Sequence, residues 1–140
     1  MEITYAGIQT VESNQNVLFT KTPISPSKCI MHREGSGLVT LRGITRNQCK
    51  ARFSVEFNGN IAVPTGGTVG EISVAVAISG EPIITSLGAA TPAAVLEYFN
   101  VISMAYIDVP AGCCATISVQ NTSGQAIQVR NANLVVTRVA

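Results

Sequence analysis

Over residues 50–58, apolar and polar side chains alternate without a break. Ala51, Phe53, Val55 and Phe57 are apolar; Lys50, Arg52, Ser54, Glu56 and Asn58 are polar. A β-strand repeats every two residues, so this run predicts a strand with one face for a core and one for water. A second alternation covers residues 70–78, with Ile72, Val74, Val76 and Ile78 on one face and Glu71, Ser73, Ala75 and Ala77 on the other. The latter face is built mainly from small residues, which predicts close packing against another surface such as a neighbouring subunit. Shorter apolar runs predict strands at 3–5, 17–19, 29–33, 38–44, 83–85, 99–109 and 113–120, and over 127–139 one strand bent near Asn131. Glycine-rich residues 34–37 predict a hairpin turn. The two prolines of residues 21–28 lack an amide donor, so that segment reads as a loop. Only residues 91–98 carry helix signals, with Thr91 as a cap and Pro92 at the first helical position, enough for one or two turns at most. The outcome is an all-β chain of about 8–10 antiparallel strands, a sandwich or barrel.

Composition sharpens this picture. A chain of 140 residues fits one domain, 1–140. Its residues are 46% hydrophobic and only 12% charged, against roughly 25% charged in an average globular chain. So few charges cover a monomer's surface poorly, which predicts that part of the apolar excess is buried between subunits. No apolar run approaches the ~20 residues of a membrane-spanning helix. The N-terminus lacks a basic region followed by an apolar stretch, so no signal peptide is expected and assembly in a cytoplasm is.

The net charge of +1 argues against a dedicated nucleic-acid binder. The positive residues are nevertheless clustered. Lys28, Arg33, Arg42, Arg46, Lys50 and Arg52 share one segment with only Glu34 opposing them, and no Lys or Arg occurs from Phe53 to Val129. One reading is a surface for an acidic partner; the other is a solvated sheet face.

Residues suited to chemistry are sparse. Cys29, Cys49, Cys113 and Cys114 form no C-x-x-C pair and share the chain with one histidine, His32, so zinc spacing is missing. Buried, reduced thiols are one expectation; a Cys29–Cys49 bridge is another, if their strands pair. A bridge between the adjacent Cys113 and Cys114 would be strained. Cys29 and His32 are three residues apart, which puts them on opposite faces of a strand and leaves no nucleophile–base pair. The acids are scattered, with Asp108 the sole aspartate, so neither a glycosidase pair nor a calcium site is expected. No catalytic residue, metal or cofactor is therefore predicted. Tyr98, Phe99 and Tyr106 read as core or subunit-interface aromatics, or as a platform for a sugar ring.

Several of these segments carry a family resemblance. The run Arg52-Phe53-Ser54-Val55-Glu56-Phe57, a glycine-rich loop, the strand Ile72–Ile78, and Gly80-Glu81-Pro82-Ile83 resemble the middle of the complement and tumour-necrosis-factor type jelly roll. The bacterial heads of collagen-like spore-surface glycoproteins are the nearest version, and the ending over 132–140 resembles their closing strand. The chain also resembles small proteins encoded in prophages of gut Firmicutes. The resemblance implies a jelly-roll β-sandwich forming a tight homotrimer, here without a collagen-like stalk. It further implies a non-enzymatic structural protein of a phage virion, as a capsid decoration or head-fibre component with a capsid or other virion protein as partner. An alternative is a module binding a surface glycan or receptor; a further one is a spore or cell-surface coat component. A shared scaffold does not transfer function. In these readings Tyr98, Phe99, Tyr106, Ser73, Ala75 and Ala77 are candidates for the trimer interface. The basic residues from Lys28 to Arg52 are candidates for the partner surface.

Overall fold

The computed structural model describes all 140 residues. Its strands are β1 (Glu2–Val11), β2 (Lys21–Ile24), β3 (Ile30–His32), β4 (Val39–Arg42), β5 (Lys50–Ala62), β6 (Ile72–Ile78), β7 (Glu81–Pro82), β8 (Gly88–Ala90), β9 (Phe99–Pro110), β10 (Cys114–Asn121) and β11 (Ile127–Arg138). They build two antiparallel sheets, one ordered β2-β1-β11-β5-β9 and the other β3-β4-β10-β6-β7, with β8 also pairing β6. The fold is an all-β jelly-roll sandwich, as the alternation and the family resemblance imply. Its eleven strands exceed the expected number because β3, β7 and β8 are only two or three residues long.

The core follows the period-two pattern. Ala51, Phe53, Val55, Phe57 and Ile61 of β5 point inward and are buried, as are Ile72, Val74 and Val76 of β6 and Ile117 and Val119 of β10. Burying each large apolar side chain contributes about 1.5–3 kcal/mol. Phe19, from the connection between β1 and β2, meets Phe57 edge to face at 6.4 Å. The C-terminal strand is continuous but bent, as predicted: Asn131 has φ 57°, and the pairing with β5 shifts register between Arg130 and Asn133.

Four expectations change. Residues 17–19 form no strand; the Val17 N–H donates to the Val119 carbonyl at 2.8 Å and the Phe19 N–H to that of Ser36 at 3.3 Å, in the connection between β1 and β2. Residues 91–98 form no helix; the Leu96 N–H donates to the Val63 carbonyl at 2.8 Å, and Leu96 takes φ 58°. One or two turns do not repay helix nucleation when the backbone has a tertiary partner. Residues 83–85 are not a strand either, because a single 3-10 turn at Ile84–Ser86 separates β7 from β8. Conversely, residues 21–24 do form a strand. β2 lies at a sheet edge, where the donor missing from Pro23 leaves no partner stranded.

Buried polar groups fasten the two sheets together. Asn121 is fully buried; its amide donates to the Val11 and Gln125 carbonyls, both at 2.9 Å, and accepts from the Ser123 N–H at 2.8 Å. It thereby links β10 of one sheet to β1 of the other. At the opposite edge β8 and β9 approach closely. There the Val76 N–H donates to the hydroxyls of Ser86 and Ser103, both at 3.1 Å, while the Ser103 hydroxyl donates to the Ser86 carbonyl. Gly88 permits the approach, since a Cβ there would lie 2.7 Å from the Ile102 carbonyl oxygen. Gly88→Ala is therefore expected to destabilise the chain by about 1–3 kcal/mol. Gly70→Ala, whose Cβ meets nothing within 4 Å, should stay within about 0.5 kcal/mol. Urea denaturation of both variants measures the difference.

Candidate interaction surfaces

No group of three or more His, Cys, Asp or Glu side chains gathers as a metal site, and no helix is long and apolar enough to cross a membrane. His32 hydrogen-bonds the Ser36 carbonyl through Nε2, whereas the Cys29 thiol accepts from Arg138, so this pair is not assembled for catalysis. Two surfaces remain.

The first is the outer face of the β2-β1-β11-β5-β9 sheet. Along β9 the inward positions are Val101, Ser103, Ile107 and Val109. The outward ones include Ile102, Met104 and Tyr106, exposed by 61%, 42% and 63%. They form an apolar row on an edge strand, opposite Asn58, Glu56 and Ser54 of β5. Tyr98 lies nearby on the same face, half-buried; its hydroxyl donates to Gln128 at 2.7 Å, and the Arg130 guanidinium stacks 4.2 Å from its ring centroid. The ring's negative face partners a cation whose buried Nε has no hydrogen bond. Beside them Asn100 donates to Asn58 at 2.6 Å. Phe99 sits at the rim, partly exposed.

Ser73, Ala75 and Ala77 require a correction. They are already buried within the single chain rather than left for a neighbouring subunit. The Ser73 N–H donates to the Ser123 hydroxyl and its own hydroxyl bonds Thr122, so the turn after β10 covers it. Ala75 and Ala77 pair with Gln120 and Ser118, both buried.

The second surface is the end of the sandwich where the β4–β5 loop meets the β9–β10 turn. Lys28, Arg42, Arg46, Lys50 and Arg52 collect there, with Arg42 closing β4 and Lys50 opening β5. Arg33 does not join them; it follows β3 at the far end of the β3–β4 hairpin. Arg138 does join, donating to the Cys29 sulfur and the Ile44 carbonyl. Asp108 is the counter-ion here. It accepts from Arg52 at 2.8 and 3.1 Å and pairs with Lys50 at 3.0 Å, so the three side chains keep a net charge of +1. All four cysteines are free, and the strands beside Cys29 and Cys49 lie in different sheets, so the condition for a bridge between them is not met.

Sequence reasoning missed Ile102, Met104, Asp108 and Arg138. The apolar row had a signal, because residues 101–107 are largely apolar at both parities. Neither Asp108 nor Arg138 had one, since each reaches its partners only through cross-sheet or cross-strand register.

Comparison with solved structures gives the architecture its place. The globular domain of the zebrafish complement 1qA protein superposes with a TM-score of 0.61 at 10% identity, over 96% of this chain and 93% of that one. Eiger TNF from S. frugiperda superposes with a TM-score of 0.69 at 13% identity, over 100% and 92%. This is the tumour-necrosis-factor-like jelly roll. The likeness establishes the fold alone. A carbohydrate-binding module of family 35 from Cellvibrio japonicus superposes only at a TM-score of 0.40 with 8% identity, over 100% and 97%, and carries no argument. No protein-family model and no curated protein sequence matches the chain.

Hydrogen bonds from Arg52 and then Lys50 hold the Asp108 carboxyl well below the usual carboxylate range, and Asp108 in turn raises Arg52. A carboxyl depressed on folding contributes stability above its unfolded value, about 3.9, and loses it as pH falls through the lower folded value. The Asp108 carboxylate should stay ionised as pH falls from about 5 to 3, while ordinary carboxylates titrate. Carbon-13 NMR of the side chain reads this directly. The stability gap between the parent and Asp108→Asn should be constant above about pH 5 and close only in stronger acid.

Proposed function

We propose that this chain is a non-enzymatic structural module that assembles as a homotrimer and serves on a phage particle, as a capsid decoration or head-fibre component. The observation that carries the reading is the exposed row Ile102, Met104 and Tyr106 on the edge strand of one sheet. Such a row, uncharged from Asn100 to Ile107, is unfavourable in water and favourable against further copies of itself. Tyr106 would supply the aromatic anchor, with Phe99 at the rim, and the Tyr98–Arg130 stack would present a rigid neighbouring surface. Three copies fit a closed assembly in which every row is covered. The virion setting rests on the resemblance to prophage-encoded proteins, and the low charge content supports an obligate assembly. The basic end of the sandwich would then meet an acidic capsid surface.

A glycan-binding module is the second reading. It is favoured by the cluster of Asn58, Asn60, Asn100 and Gln128 beside Tyr98 on the same sheet face. Amide groups with an aromatic ring suit sugar hydroxyls and ring faces. A glycan array, run beside binding to purified capsids, separates the two readings.

Light scattering tests the trimer. The parent should give three times the chain mass of 14.6 kDa, and a monomer would overturn the assignment. Tyr106→Asp combined with Ile102→Asp should yield folded monomers, each site costing about 2 kcal/mol or more per interface. Charge reversal at Arg42 and Arg46 is expected to leave the trimer intact. It should weaken co-sedimentation with capsids several-fold, less so as salt is raised. Loss of the trimer in that variant would sink the assignment of these residues to the partner surface.

A further inference from the structure

The four cysteines come from three separate stretches of sequence, at Cys29, Cys49 and Cys113–Cys114, and meet at the basic end of the sandwich. Backbone hydrogen bonds join their segments: Arg42 to the Cys29 carbonyl at 2.8 Å, Gly43 to that of Cys113 at 2.8 Å, and Ala111 to that of Cys49 at 2.9 Å. Cys49, Cys113 and Cys114 are exposed, and none is bridged.

Two observations single out Cys114. It opens β10 directly opposite Arg42 of β4. The next pair in register, Leu41 with Ala115, packs on the core, so Cys114 and Arg42 share the solvent face. Opposed residues in a sheet have Cβ atoms about 4.5–5.5 Å apart, which places the guanidinium within reach of whatever approaches the thiol. The two side chains also line a cleft of about 120 Å³ with Gly43, Ile44, Gly112 and Cys113, and no carboxylate borders it.

The adjacent thiol is a strained partner. Consecutive Cα atoms are about 3.8 Å apart, short of the roughly 4.4–6.8 Å that an unstrained disulfide spans. Metal cations are disfavoured by the surrounding positive charge. A disulfide between two copies would bring two such ends together against their mutual repulsion. A small anionic reactant meets neither obstacle.

We propose that Cys114 is an S-thiolation site for an anionic low-molecular-weight disulfide, which Arg42 attracts into the cleft. The Cys114 thiolate attacks one sulfur of the disulfide. The new S–S bond forms as the old one breaks, and the displaced thiolate takes up the proton that Cys114 released. The small disulfide is the oxidant: one of its halves leaves as a thiol while Cys114 is oxidised. In an ordinary dithiol site the second thiol would expel the adduct and close an internal disulfide. Here strain disfavours Cys113 for that step, so the adduct persists until a free external thiol removes it.

Oxidised glutathione, which is anionic, and cystamine, which is dicationic, are the probes. The whole protein is treated with each, quenched in acid, alkylated, and read by intact mass and peptide mapping. The expected product is one glutathionyl group on Cys114, formed faster relative to cystamine than on a free cysteine peptide. Arg42→Glu should lower that preference about two- to five-fold, the range for one exposed charge pair, and Cys113→Ser should leave the adduct in place. Rising salt should weaken the preference in the unaltered protein, a readout that stands if a variant folds poorly. A loss of two hydrogens without an adduct would overturn the proposal. So would a disulfide-linked dimer as main product, modification chiefly at Cys49, or a preference indifferent to both Arg42 and salt.

Discussion

The register between β5 and β9 is the constraint on which both surfaces depend. The two strands pair from Lys50 with Pro110 to Ile61 with Phe99 without interruption. A slip of one residue would turn every side chain of one strand to the other face. Ile107 and Val109 would leave the core, and Tyr106 and Asp108 would enter it. Burial of the inward row therefore fixes the outward row, although the outward side chains make little contact of their own. Two polar pairs agree with this register, Arg52 with Asp108 near one end and Asn58 with Asn100 near the other. Exposed pairs of this kind contribute little energy, so the core sets the alignment and the surface follows it.

A sandwich must also join its sheets where strands end. The apolar interior cannot do this alone, since backbone groups at those places lose their ladder partners and remain costly when buried. Asn121 answers that need on one side with two donors and an acceptor all in use. On the other side the gap between β7 and β8 leaves the Val76 N–H without a strand partner, and the hydroxyls of Ser86 and Ser103 take its place. β9 is thereby held as an edge strand. Its outer row stays presented to solvent while its inner row closes the core.

The strands were largely legible because period-two alternation reports burial on one face, as it does along β5. It misled where burial is two-sided. Ser73, Ala75 and Ala77 looked like surface residues awaiting a neighbour, yet all three are buried within the chain, Ser73 under the turn after β10. The basic cluster was half legible: Arg42, Arg46, Lys50 and Arg52 are near in sequence and near in space. Arg33 is equally near in sequence, but a hairpin carries it to the opposite end. Arg138 and Asp108 come from the far side of the chain, and only pairing registers bring them in. Residues 91–98 show the same limit from the local side. Thr91 and Pro92 favour a helix start, but a carbonyl at the end of β5 claims the Leu96 amide.

The distribution of charge then has a physical reading. In the proposed trimer, side chains close to the three-fold axis would meet their own copies, so charge there would oppose assembly. The outward row of β9 carries none between Asn100 and Ile107, although Glu56 of β5 lies opposite Met104, and the cation near the start of that row, Arg130, is stacked on Tyr98. The end of the sandwich is under no such restriction. It gathers Lys28, Arg42, Arg46 and Arg138 together with a Lys50–Arg52–Asp108 triad that remains positive. Under the proposed assembly, self-association draws on the apolar face and contact with other molecules on the basic end. The two adjoin where Tyr106 and Asp108 share the outward face of β9, so a substitution away from that seam, at Arg42 or Arg46, need not disturb the apolar row.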